Sequence, residues 1–111
     1  MNTKKLKLEW MLERGHDIGD LSLIKNLDNN FSSILIRTST FFPDPWAIAY
    51  KYAPITDNIN FMIAVNPIMM NPVYCAIKII TFQKIYGNRI SINIVSGAST
   101  VEQAAYGDTS P

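Results

Sequence analysis

The stretch RISINIVSGAS, residues 89–99, sets small polar groups at the end of an apolar strand. Ile90, Ile92 and Ile94 alternate onto one face, and Val95 breaks the alternation ahead of Ser96-Gly97. A Ser-Gly turn leaves backbone N–H groups and a hydroxyl free to meet a phosphate or the edge of a flat ring, and glycine lets the backbone come close. Asn66, just before Pro67, offers an amide at a second strand end. Metal and thiol chemistry have little to work with. Cys75 is the sole cysteine and His16 the sole histidine, whereas a structural zinc needs about four such ligands and a Cys/His pair needs both partners in reach. Cys75 sits in an apolar periodic segment and reads as a small core residue. His16 follows the first strand, on the end where a ligand would lie, and is a candidate for helping a substrate.

The elements that must position these groups are regularly punctuated. Leu6, Leu8, Trp10 and Leu12 alternate with Lys7, Glu9 and Met11 in a first strand that Gly15 closes. Residues 20–28 carry Leu21, Leu23, Ile24 and Leu27 in a short helix that Asp20 can cap. SSILIRT is a second strand whose Ile34-Leu35-Ile36 run is apolar on both faces, as in parallel sheets. Asp44-Pro45 reads as an N-cap and first helical position, opening a helix that ends near Pro54. INFMIAV is a third strand. Asn71-Pro72 starts a longer helix with Val73, Ala76, Ile77, Ile80 and Ile85 expected to face inward, and Gly87-Asn88 occupies the positions a C-cap prefers. Residues 90–95 make strand four.

Composition bounds the rest. The 111 residues make one domain at most, 48% hydrophobic, enough for a real core. A net charge of +1 gives no footprint for nucleic acid, and Lys4, Lys5 and Lys7 read as a solvated terminus. No apolar run reaches the roughly 18 residues of a membrane span, and the polar start is unlike a secretory leader. A cytoplasmic protein without membrane or nucleic-acid partners is expected.

Strands alternating with helices imply right-handed βαβ crossovers and a parallel sheet covered by helices. Two architectures remain open: a doubly wound sheet, or one half of an eight-stranded barrel. ERGHDIGD lacks the G-x-G-x-x-G turn that would favour a dinucleotide fold. In either architecture ligands sit at the carboxyl ends of the strands, here around Gly15-His16, Thr38 to Phe42, Val65 to Pro67 and Ser96-Gly97.

From about Phe31 to Asp108 the chain resembles the luciferase-like flavin-dependent monooxygenases, most closely their alkanesulfonate monooxygenase branch. Asp44, Trp46, Pro54, Thr56, Pro67, Pro72, Gly87, Arg89, Asn93 and Gly97 carry the resemblance. It implies the N-terminal half of a (β/α)8 TIM barrel, with about four parallel strands, and makes residues 1–111 a partial monooxygenase domain. It further implies reduced FMN from a partner flavin reductase, used with O2 to oxidise an alkanesulfonate or similar small organic substrate. By analogy the flavin rests near Ala64, Val65 and Asn66, with Asn93, Val95, Ser96 and Gly97 contributed by strand four. Relatives use a deazaflavin at a similar site, which is the alternative reading, and a non-catalytic fragment is the other.

Two departures matter. Phe42, in the expected substrate pocket, stands where the sulfonate branch usually has a cysteine, and the histidine some relatives place near Ser39 and Thr40 is absent. A complete barrel takes about 250 residues, and the groups credited with substrate chemistry in this family come largely from its second half. The chain alone is therefore expected to be inactive, and to need a second-half chain or another copy of itself as partner.

Overall fold

Two Asx-Pro pairs open the two helices nearest the ligand end of the sheet. In the computed structural model, which describes residues 9–12, 21–38 and 43–95, Asp44 is extended (φ −60°, ψ 123°) and its Oδ2 accepts the N–H of Ala47 at 2.9 Å. Asn71 does the same for the next helix, its Oδ1 accepting from the Val73 N–H at 2.8 Å. Each cap satisfies a donor that the first helical turn leaves without a partner, and the proline that follows has no N–H to orphan. Asp44→Ala should cost about 1 kcal/mol of unfolding free energy, read from the urea midpoint. An unchanged midpoint would show that the cap adds nothing to the helix.

The elements run β1 (Glu9–Leu12), α1 (Leu21–Asn30), β2 (Ser33–Ile36), α2 (Pro45–Tyr52), a 3-10 turn (Ala53–Ile55), β3 (Asn60–Val65), α3 (Pro72–Tyr86) and β4 (Ile90–Ile94). α1 extends two residues past the expected end at Asp28, and Gly87 takes the positive φ of 83° that closes α3 and favours glycine. All strand pairs are parallel, and the sheet order is β1-β2-β3-β4. A doubly wound sheet reverses its order at a switch point, whereas a barrel adds each strand beside the last. The sequential order therefore makes this sheet an arc of a (β/α)8 barrel.

Register assigns the two faces. Ile34 pairs with Phe61 and Phe61 with Ile90, in a row that packs against the helices. Ser33, Asn60 and Ser91 lie on the opposite, lumenal face, where the Asn60 Nδ2 donates to Ser91 Oγ at 2.8 Å and more weakly to Ser33 Oγ at 3.4 Å. The core lies between sheet and helices, around fully buried Phe82. Its ring meets Tyr50, Phe61 and Tyr86 at centroid distances of 5.4, 6.0 and 5.2 Å.

The expected inward face of α3 is corrected. Val73, Ile77, Ile80 and Ile85 are each more than half exposed and Ala76 is also exposed, while Cys75 and Phe82 are buried with Ile79 and Tyr86 packed beside them. The helix is apolar nearly all round, so periodicity had two faces to choose from. Packing selects the one that carries the aromatic rings. Cys75 is the small core residue its setting suggested.

At the amino ends of the strands, Asp28 on α1 accepts the N–H groups of Asp57, Asn58 and Ile59 at 2.9, 2.9 and 2.8 Å. Beside it Arg89 donates to Thr56 Oγ1 (3.0 Å) and to the carbonyls of Ala53 (3.0 Å) and Ile59 (3.3 Å). Burial pushes the Asp28 carboxyl up, but the three N–H donors and Arg89 outweigh it and hold the group below the usual carboxylate range. This network pins the turn between α2 and β3. It belongs to the face of a barrel that serves stability rather than ligand binding.

Candidate functional site

At the carboxyl ends of the strands the alternation of β3 carries Ala64, and next Asn66, onto the lumenal face. Ala64 is paired in register with Asn93 of β4, so the two sit side by side on that face. Val65 belongs to the other row. Its side chain lies on the helix side, and its carbonyl accepts the Val95 N–H at 2.9 Å, fixing how β4 leaves the sheet. Of the expected ligand residues, Ala64, Asn66 and Asn93 thus share one face, while Val65 and Val95 hold the two strand ends together through backbone. Ser96, Gly97, Phe42 and His16 lie outside the described residues.

Asn66 shapes its own turn. Its Oδ1 accepts the Ile68 N–H at 3.0 Å and its carbonyl accepts from Met69 at 2.9 Å, an Asx turn that reverses the chain beyond β3. Asn66 is buried at this turn. Beside it opens a cleft of about 150 Å³, lined by Thr38, Asp44, Trp46, Ala64, Asn66 and Met69. Thr38 falls in a stretch expected at the ligand end, whereas Trp46 and Met69 are lining residues that the sequence did not place at a site, and Asp44 was read as a cap and as part of the family resemblance. The usable signal was position, since Thr38 follows β2 and Asp44 to Trp46 open the next helix.

The chemistry this cleft offers is recognition. Ala64 and Asn66 line the cleft, and Asn93 stands beside Ala64 on the same face of the sheet. No group of three or more metal-ligating side chains exists among the described residues. No helix among them is long and apolar enough to cross a membrane.

Sequential parallel strands with ligand-type residues at their carboxyl ends define a barrel of the enzyme-bearing (β/α)8 class. The luciferase-like monooxygenase family profile matches residues 27–111, and the chain belongs to that family. Solved structures with the same fold include a monooxygenase from Streptomyces bottropensis, at 18% identity and a TM-score of 0.74, with 92% of this chain and 36% of that one covered. A coenzyme F420 dependent tetrahydromethanopterin reductase from Methanopyrus kandleri matches at 21% identity and TM-score 0.74, covering 93% of this chain and 30% of that one. EDTA monooxygenase from Chelativorans sp. BNC1 matches at 18% and 0.72, covering 94% and 31%. The chain thus spans about a third of the length of these structures.

Proposed function

We propose that this chain forms the cofactor-binding half of an FMN-dependent monooxygenase that oxidises an alkanesulfonate or similar small organic molecule with O2. One observation carries the reading: Ala64, Asn66 and Asn93 lie on a single lumenal face at the carboxyl ends of β3 and β4. When bound, reduced FMN supplies the electrons that activate O2. The chain's own groups hold and orient the ring system, with Ala64 as the floor and the Asn66 and Asn93 amides at its edge. Ser96 and Gly97 are proposed to meet a charged or polar edge of the cofactor, and Phe42 to line the substrate side in place of a thiol. The role of His16 is a proposal of the same kind. A cytoplasmic flavin reductase fits this reading as the source of reduced FMN.

The cleft of about 150 Å³ takes one edge of such a ring system, and the remaining walls belong to the rest of a barrel. A second reading is favoured by the F420-dependent reductase among the structural matches, whose TM-score of 0.74 equals that of the monooxygenase. In that reading the same face binds a deazaflavin.

The test is fluorescence titration with FMN and with a deazaflavin, using this chain co-expressed with the second half of a luciferase-like barrel. Asn93→Leu and Ser96→Leu should each weaken FMN more than tenfold, because a hydrogen bond to a charged group is worth about 1.5–3 kcal/mol. Unchanged dissociation constants for both variants would remove β4 from the site. Tighter binding of the deazaflavin than of FMN would select the second reading.

A further inference from the structure

We propose that Lys78 is a positioning residue for the cleft at the carboxyl ends of the strands: its ammonium, held between two aromatic rings, fixes the indole of Trp46 as one wall of that cleft. The cleft is lined by Trp46 and not by Lys78, so the lysine acts on a ligand there through the indole. The effect on a flavin rests on the cofactor reading above, whereas the placing of the indole does not.

Helical spacing builds the clamp. Tyr74 and Lys78 stand four positions apart in α3, so their side chains share one face of that helix. The ammonium lies 5.0 Å from the centroid of the Tyr74 ring and 5.4 Å from that of Trp46, which belongs to the first turn of α2. One cation thus spans two helices. The Asp44 cap and Pro45 set where α2 begins, which fixes the Trp46 backbone and leaves its side-chain torsions to packing.

A cation over an aromatic face is attracted by the negative charge of the π system, most strongly for tryptophan, and gains more where water is partly excluded. Trp46 is 3% exposed and Lys78 half-buried, whereas Tyr74 is 55% exposed. The Trp46 contact is therefore the drier and stronger of the two, and Tyr74 completes the clamp on the more exposed side.

Trp46 needs such an anchor more than its neighbours do. Ala64 lies within β3 and Asn66 directly after it, where the parallel ladder to β4 and the Asx turn hold the backbone. Trp46 enters the same cleft from a helix, and the cation beside its ring keeps the indole in place against them. A second lysine supplies the contrast. Lys51 stands over the Tyr52 ring at 5.7 Å, but neither of those residues lines the cleft.

The experiment reads the indole and the ligand separately. Trp10→Phe leaves Trp46 as the sole tryptophan of the full 111-residue chain, whose acrylamide quenching then reports how well the indole is shielded. In that background Lys78→Met, which keeps the stem and removes the charge, should raise the quenching constant about twofold with the circular dichroism unchanged, and Lys78→Arg should restore it. In the co-expressed pair used for the flavin titration, Lys78→Met should weaken FMN about fivefold. Added to Trp46→Leu, it should weaken FMN no further, because the two side chains act as one unit. Lys51→Met, which removes a like charge from over Tyr52, should alter neither readout. Quenching unmoved by Lys78→Met, an equal effect of Lys51→Met, or a further loss of FMN in the Trp46→Leu background would each overturn the positioning role. If Trp46→Leu does not fold, quenching and its rescue by arginine decide the matter. A parent that binds neither FMN nor a deazaflavin, with quenching responding as expected, would overturn the cofactor reading and leave Lys78 as the anchor of Trp46.

Discussion

Replacing Asp28 with alanine is expected to cost about 3 kcal/mol of unfolding free energy at neutral pH, a large share of the marginal stability of a domain this size. The carboxylate is the common acceptor for three consecutive N–H groups in the turn that leads into β3. Hydrogen bonds to a charged group contribute about 1.5–3 kcal/mol each, and orphaned donors add a desolvation penalty, but one carboxylate shared by three donors does not sum them. Water can reach part of the turn, which tempers the loss. The same residue sets an acid limb. Its folded pKa lies below the ordinary value of about 3.9, so the stabilisation is fully present above that value. It is lost as pH falls through the lowered folded value, where the native state must take up the proton. Asp28→Asn should therefore flatten the acid limb of a urea-midpoint profile as well as lower its plateau. A profile that coincides with the parent at every pH would show that Asp28 does not hold the turn.

Phe82→Ala is expected to destabilise by about 3–5 kcal/mol. The ring is fully buried and three other aromatic side chains pack edge-on or tilted against it, so its removal leaves a cavity that rigid rings cannot collapse to fill. Ile80→Ala, two positions earlier on the same helix, should change stability by less than about 0.5 kcal/mol, because Ile80 is half exposed. The contrast reports directly which face of α3 meets the sheet. Thermal melts of the two variants read it, and equal losses would mean that α3 is rotated from the orientation described.

That pair of positions also shows what the sequence could and could not say. Asp44-Pro45 and Asn71-Pro72 announced two helix starts because capping is local, decided by a side chain within three residues of the donor it serves. The strands were legible for a similar reason, since period-two alternation and flanking turn residues are local properties. The face of α3 was not, because PVYCAIKIITFQKIY is apolar on almost every side and only contact with Phe61 and Tyr50 breaks the tie. Asp28 gave no signal either. Its partners stand some thirty positions away, in a turn whose N–H groups converge on it only after the sheet is assembled. At the ligand end, Ala64 and Asn66 could be placed at the close of a strand from their own surroundings. That Asn93 stands beside Ala64 is a matter of register between strands, which the chain does not write locally.

The sheet grows by accretion. Glu9 pairs with Ser33, Ser33 with Asn60 and Phe61 with Ile90, each strand laid against the one made just before it, with no later strand threaded between earlier ones. A gene cut between two such units still encodes a set of strands that find their own neighbours, and a gene joined there gains units without disturbing those already placed. The heritable module in this architecture is therefore the strand–helix step itself. Duplication, fission and fusion at Gly87-like stops between steps are changes the fold can absorb one unit at a time.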